Sequence, residues 1–253
     1  MLISVSGKIN SGKDLIGEII LYLTDKYYHS KAGEKASFEN WKTSNIHSSG
    51  YNISHKAMYE ANNTNHFKIK KFADKLKDII CILINCTREQ LEDETFKSKE
   101  LGEEWWYFKG RNGSLISYSE YSKRNDEDLI KPTPRFLLQF IGTNLLRNQL
   151  HPEIWVNSLM NKYFCVQSDL APNGIDCPNW IITDLRFLNE MEAVKKRGGI
   201  TIRVNRNLEE SKNQHESETE LDSAEFDYVI DNNGTIEELI EKVREILIKE
   251  KLI

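Results

Sequence analysis

Near the N-terminus, Gly7-Lys8-Ile9-Asn10-Ser11-Gly12-Lys13-Asp14 fits the spacing G-x-x-x-x-G-K. No other feature constrains the chain as strongly. Leu2-Ile3-Ser4-Val5-Ser6 before it is β-prone. After it, Leu15, Ile16, Ile19, Ile20 and Leu23 fall on one face of a helical repeat. The loop therefore joins a strand to a helix, the setting in which this spacing has chemical meaning. Successive backbone N–H groups of such a loop curl around a phosphate, and glycines allow the close approach. The helix N-terminus adds positive potential, and Lys13 reaches the outer phosphates. The plain alternative is a glycine turn with a solvated lysine. Asp14 stands where Ser or Thr usually offers a hydroxyl to Mg2+. Its carboxylate either holds the metal, directly or through water, or caps the helix.

The rest of the chain alternates strands and helices. Residues 29–66, rich in Ser, Asn, His and Lys, read as a polar insertion or mobile loop with a helix near 55–61. Phe67–Phe72 alternates as a second strand, Asp74–Ile84 reads as an apolar helix, and 87–131 is charged and irregular. Thr133-Pro134 opens a helix with Phe136, Leu137, Phe140, Ile141 and Leu145 as its buried stripe. Another helix starts at Pro152 and carries Trp155, Leu159 and Met160. Trp180–Thr183 is a continuous apolar run of the kind found in buried parallel strands. A helix over 188–197 stops at Gly198-Gly199, and strands follow at 200–204 and 228–230. The last helix runs from Thr235 to about Lys249, with Thr235 and Glu238 as a capping box. This order predicts an α/β fold with a mainly parallel sheet and ligands at the carboxyl ends of its strands.

Composition excludes several classes. The 253 residues carry 34 Lys+Arg against 39 Asp+Glu, a net charge of −5, which argues against a general nucleic-acid coat. Ten Phe, ten Tyr and five Trp are too many for a disordered chain. No run approaches the ~18 apolar residues of a membrane span, and the first residues lack the basic and apolar regions of a secretory signal. Cys81, Cys86, Cys165 and Cys177 show no C-x-x-C spacing, which predicts reduced thiols rather than a disulfide frame or a metal site.

Other residues belong with the loop by position. Asp184 ends the apolar run 180–183 at a strand's carboxyl end, where it can meet a metal or an acceptor hydroxyl, and Arg186 can face the same cleft. Their alternative is a helix cap and a solvated arginine. Arg135 and Gln139 share a helix face, which in isolation is simply a polar surface. Trp155 is either core or a base-stacking ring. Lys75, Arg203 and Arg206 can meet phosphate or be surface charge, and His215-Glu216-Ser217-Glu218 reads by composition as a solvated run.

With these residues in place, the chain resembles the bacteriophage deoxynucleoside monophosphate kinases. The likeness rests on Gly7–Asp14, Phe72–Lys77, Arg135–Thr143 with Trp155, Trp180–Arg186 with Asn189-Glu190, and His215–Glu218. Tyr228-Val229-Ile230-Asp231-Asn232 is similar to the last strand of nucleotide and dephospho-coenzyme A kinases. The resemblance implies a single P-loop kinase domain over 1–253: a three-layer αβα fold with a five-stranded parallel core sheet. It implies an acceptor-binding, mainly helical region at 74–178 and a lid at 205–222.

The implied reaction is phosphoryl transfer from ATP to a deoxynucleoside monophosphate, giving ADP and the diphosphate. Gly7, Lys8, Asn10, Ser11, Gly12, Lys13, Asp14, Arg203 and Arg206 would bind the donor. Lys13, Arg135, Asp184 and Arg186 would be catalytic, and Asp14 and Asp184 would hold Mg2+. Lys75, Arg135, Gln139, Trp155, His215 and Glu218 would serve the substrate. No nucleic-acid or membrane partner is implied, a homodimer is possible, and the compartment would be the cytoplasm, the host's if the chain is viral. A related Ser-Gly-Lys-Asp loop and Asp-x-Arg strand end in phosphomevalonate kinases makes a small-metabolite phosphate kinase the nearest rival. A P-loop ATPase or switch acting on a partner is the other.

Overall fold

Every residue of Leu2–Gly7 is buried, the signature of a strand covered on both faces. In the computed structural model the described residues are 1–25, 29–30, 37–43, 67–109, 115–120, 129–167, 175–207 and 216–253. Their strands, in chain order, are β1 (Leu2–Gly7), β2 (Lys68–Lys70), β3 (Tyr107–Lys109), β4 (Leu115–Ser117), β5 (Leu129–Ile130), β6 (Val166–Gln167), β7 (Ile175–Asp176), β8 (Trp180–Leu185), β9 (Ile200–Asn205) and β10 (Tyr228–Asp231). The chain divides into two compact units, Met1–Phe72 with Leu159–Ile253, and Ala73–Ser158.

The first unit holds a five-stranded sheet in the order β10-β9-β1-β8-β2, parallel throughout. Register sets the functional edge. Gly7 of β1 lies beside Val204, Ser6 lies beside both Arg203 and Leu185, and Asp231 pairs with Asn205. The carboxyl ends of the four strands thus line up, as the alternation predicts. Helix α1 (Lys13–Thr24) buries Ile16, Ile19, Ile20 and Leu23 against Ile3, Val5, Ile181 and Ile202. The helix Ile236–Lys249, started by the expected Thr235/Glu238 capping box, adds Leu239, Val243 and Leu247 to the same core. Gly198, at φ +70°, ends the helix Leu188–Lys195 in the left-handed conformation that the expected stop requires.

Within the stretch expected as a polar insertion, Phe38–Thr43 is a short helix that buries Phe38 and Trp41 in this core. The Trp41 indole donates to Asp25 Oδ2 at 3.0 Å. The helix expected near 55–61 lies outside the described residues. A second correction concerns the cysteines. Cys165 and Cys177 form a disulfide, whereas Cys81 and Cys86 are free. The pairing of Val166 with Asp176 in β6 and β7 puts the two flanking cysteines opposite each other, a tertiary register that spacing alone cannot reveal.

In the second unit the helix Asp74–Ile84 has the expected bounds. The region read as charged and irregular contains a small antiparallel sheet, β4-β3-β5. Its strands, two or three residues long, are too short to show alternation. The helix Pro134–Gln139 starts as expected, with Thr133 accepting from Phe136 N, and continues as a π-helix over Phe140–Leu150. This continuation overturns part of the expected stripe: Leu137 is buried as expected, but Phe140 and Leu145 are 41% and 40% exposed, while Gly142, Thr143 and Arg147 are buried. An i→i+5 ladder turns successive side chains away from the 3.6-residue face on which the stripe was drawn. Among the described residues no helix is long and apolar enough to cross a membrane.

Candidate active site

The loop between β1 and α1 is held from below. Lys8 O accepts from Ser11 N and from Lys13 Nζ, each at 3.1 Å. Asn10 O accepts from Arg206 Nη1 at 3.3 Å, and Ser11 O accepts from the Asn232 side chain at 2.9 Å. Two residues are left-handed, Asn10 at φ 61° and Gly12 at φ 97°. The φ of Gly12 favours glycine, and a Cβ there, 2.4 Å from Asn232 Nδ2, would displace the amide that holds Ser11 O. Among the described residues no side-chain cap bond forms at the Gly12 N-cap, and the first-turn amides of α1 can serve an outside acceptor. Ser11 is 1% exposed, and its hydroxyl has no hydrogen-bond partner among the described residues.

Lys13 opens α1 and is 9% exposed. Burial first, then the positive charge of Arg186, lower its pKa from 10.5 to about 8; Asp14 and Asp184 oppose the shift and Lys71 adds to it. Asp14 Oδ1 accepts from Thr183 Oγ1 at 2.7 Å and pairs with Lys71 Nζ at 3.0 Å. Burial pushes the Asp14 carboxyl upward, but Lys71, the Thr183 hydroxyl and Lys13 together hold it below the ordinary value. Asp184, 9% exposed at the end of β8, accepts from Phe72 N at 2.9 Å. Buried Glu190 accepts from the backbone N of Arg186 and of Phe187, which fixes the turn after β8. Arg186 Nη1 donates to Ser217 O at 3.3 Å.

At the end of β9, Arg203 donates to Ser6 Oγ at 3.1 Å and to Asp222 Oδ1 at 2.6 Å. Lys8 Nζ pairs with Asp222 Oδ2 at 3.0 Å. The first unit thus brings together Gly7, Lys8, Asn10, Ser11, Gly12, Lys13, Asp14, Asp184, Arg186, Arg203 and Arg206. His215 and the middle of the expected lid at 205–222, residues 208–215, lie outside the described residues. So does the side chain of Glu218, whose backbone belongs to the helix Glu216–Thr219.

The remaining candidates belong to the second unit. Arg135 pairs with Glu94, and Gln139 ends the helix Pro134–Gln139. Lys75 is exposed and faces Asp78 at 3.8 Å. Trp155 is 6% exposed and donates its indole N–H to Gly142 O at 2.9 Å, tying its helix to the π-helix.

Four residues at the loop escaped sequence reasoning: Lys71, Thr183, Asn232 and Asp222. Lys71 lay inside the strand expected at Phe67–Phe72 and was given no role. Asn232 ended a quoted motif without a role, and nothing local marked Asp222.

Residues 1–243 match the deoxynucleotide monophosphate kinase family. A provisionally named deoxynucleotide monophosphate kinase of Acanthamoeba polyphaga mimivirus is 32% identical over 146 residues, covering 51% of this chain and 68% of that one. The deoxynucleotide monophosphate kinases of Escherichia phage RB69 and Enterobacteria phage T4 are 34% and 33% identical over 113 residues. Those two alignments cover 45% of this chain and 44% of each phage protein, less than half of their length. The five-stranded parallel sheet flanked by helices is that of a P-loop kinase. With this fold and a match across nearly its whole length, the chain belongs to the deoxynucleotide monophosphate kinase family.

Proposed function

We propose that the chain carries out its family's phosphorylation of deoxynucleoside monophosphates with ATP as donor. The γ-phosphate passes to the acceptor's phosphate, and ADP and the deoxynucleoside diphosphate leave. The observation that carries this reading is Lys13, a buried amine at a helix N-terminus whose pKa is lowered by burial and a neighbouring arginine. Among the described residues Lys13 Nζ has only the Lys8 carbonyl as a hydrogen-bond acceptor, and a polyphosphate would stabilise the charged form that burial disfavours. The α1 N-terminal amides, with no side-chain cap at Gly12, fit the same anion.

Phosphoryl transfer asks the protein for alignment and for positive charge, not for covalent chemistry. Lys13 and the loop amides hold the outer phosphates, with Lys8, Arg203 and Arg206 around them. Arg186 lies close enough to depress Lys13, so its guanidinium can neutralise charge that develops on the transferred group. Asp14 and Asp184 are the carboxylates that would hold Mg2+, a hard cation that accepts carboxylate oxygens. When bound, it would screen the charge between phosphates. By resemblance, Arg135 takes the acceptor phosphate, Gln139 the base, and Lys75, His215 and Glu218 serve the substrate. Trp155 is assigned to packing, since its N–H is already used. The phage and mimivirus relatives support the host cytoplasm as the place of action.

The test is a screen of deoxynucleoside and ribonucleoside monophosphates with ATP and Mg2+, following diphosphate product. Formation of at least one deoxynucleoside diphosphate is expected. ATP hydrolysis with no phosphorylated acceptor would favour an ATPase or switch.

A further inference from the structure

We propose that Asp222 is a built-in competing anion of the donor site. Its carboxylate holds Lys8 and Arg203 where phosphate oxygens would hold them, and nucleotide binding exchanges one anion for the other. The inference rests on the reading of Gly7–Asp14 as the donor loop.

The geometry is that of a bridge. One carboxylate oxygen takes Lys8 Nζ at 3.0 Å and the other takes Arg203 Nη2 at 2.6 Å. Lys8 belongs to the loop itself. Arg203 lies beside Ser6 in the sheet register and keeps a second bond to Ser6 Oγ. Its guanidinium therefore stays anchored when Asp222 lets go. Two oxygens joining a lysine and an arginine make the demand that two non-bridging phosphate oxygens make, and a phosphate offers more charge. The Lys8–Asp222 pair is readily exchanged, since the two side chains are 38% and 39% exposed and water screens their attraction. The same segment reaches other parts of the edge. Ser217 O accepts from Arg186 Nη1 at 3.3 Å, and Glu220 Oε1 accepts from Leu188 N at 2.8 Å. Three cations of the donor edge thus each have a partner between Ser217 and Asp222. A carboxylate left beside a triphosphate would repel it, so the native residue holds affinity below what the cations alone would give.

The experiment is calorimetric titration of the full chain with ATP, together with KM values for both substrates. Asp222→Asn keeps size and loses charge. It is expected to tighten ATP binding and lower the KM for ATP by about three- to tenfold at low salt. The gain should shrink as salt screens the charges, and the KM for the monophosphate should not move. Asp222→Glu should stay near the native values, and Asp222→Ser, which also removes the charge, should follow the Asn variant. Binding by the native chain with equal or weaker binding by both neutral variants overturns the exchange and leaves the kinase reading standing. A native chain that binds no ATP overturns both.

Discussion

The side-chain amide of Asn232 donates to the carbonyl of Ser11 at 2.9 Å, joining residues 221 apart in sequence. Through this bond the end of β10 holds the loop between β1 and α1 in shape. Asn232→Ala should lower stability by about 1 kcal/mol, the usual worth of one such bond. It should also raise the KM for ATP several-fold, with the KM for the monophosphate unchanged. Thermal unfolding and steady-state kinetics check this. An equal rise in both KM values would show that Asn232 does not act through the loop.

Lys13 makes nucleotide binding depend on pH. Its folded-state pKa, about 8, lies below the 10.5 of the free side chain. Below pH 8 both folded and unfolded chains hold the proton, and burial of the charge opposes folding in full. Between about 8 and 10.5 the unfolded chain holds more protons, so stability from this group rises with pH. Binding runs the other way. A triphosphate favours the charged amine, so above pH 8 the complex takes up a proton and affinity falls as pH rises. Calorimetry at pH 8.5 in buffers of different ionisation enthalpy should show uptake of up to about three quarters of a proton, lost in Lys13→Met.

Asp14 sits between a hydroxyl and two lysines, with its carboxyl held below the ordinary range. Asp14→Asn removes a charge that supports the protonated form of Lys13. The pH at which proton uptake begins should therefore drop, and turnover at pH 8 should fall. Asp14→Asn and Asp184→Asn should each raise the Mg2+ concentration needed for half-maximal rate. A shift in only one variant would place the metal on that carboxylate alone.

Arg135→Lys keeps a positive charge but loses the planar fork that suits phosphate oxygens. The fold should survive, while kcat/KM drops by about a hundredfold or more. Unchanged kinetics would remove Arg135 from the site.

Trp155→Phe loses the indole bond to Gly142 O. Stability should fall by about 1 kcal/mol, and the ranking of acceptor bases should stay the same. A changed ranking would restore the base-stacking role.

What was legible in the sequence was local. The strand, loop and helix over residues 2–24 follow from periodicity and one motif, and Asp74–Ile84 follows from an apolar face bounded by breakers. What was not legible depends on partners distant in sequence. Thr183 meets Asp14 across 169 positions, and Asp222, in a turn before β10, meets Lys8, just past β1, only because the fold brings the two segments together. Cys165 and Cys177 pair through the register of β6 and β7. The π-helix changed a face without changing a residue type, so no pattern of apolar spacing announced it.

The most direct measurement is a crystal structure of the chain with a non-hydrolysable ATP analogue, Mg2+ and a deoxynucleoside monophosphate. The account predicts the β-phosphate within hydrogen-bonding distance of the backbone amides at Gly12 and Lys13, with Lys13 Nζ turned from Lys8 O to the phosphates. Phosphates bound elsewhere, with Lys13 still on Lys8 O, would contradict it.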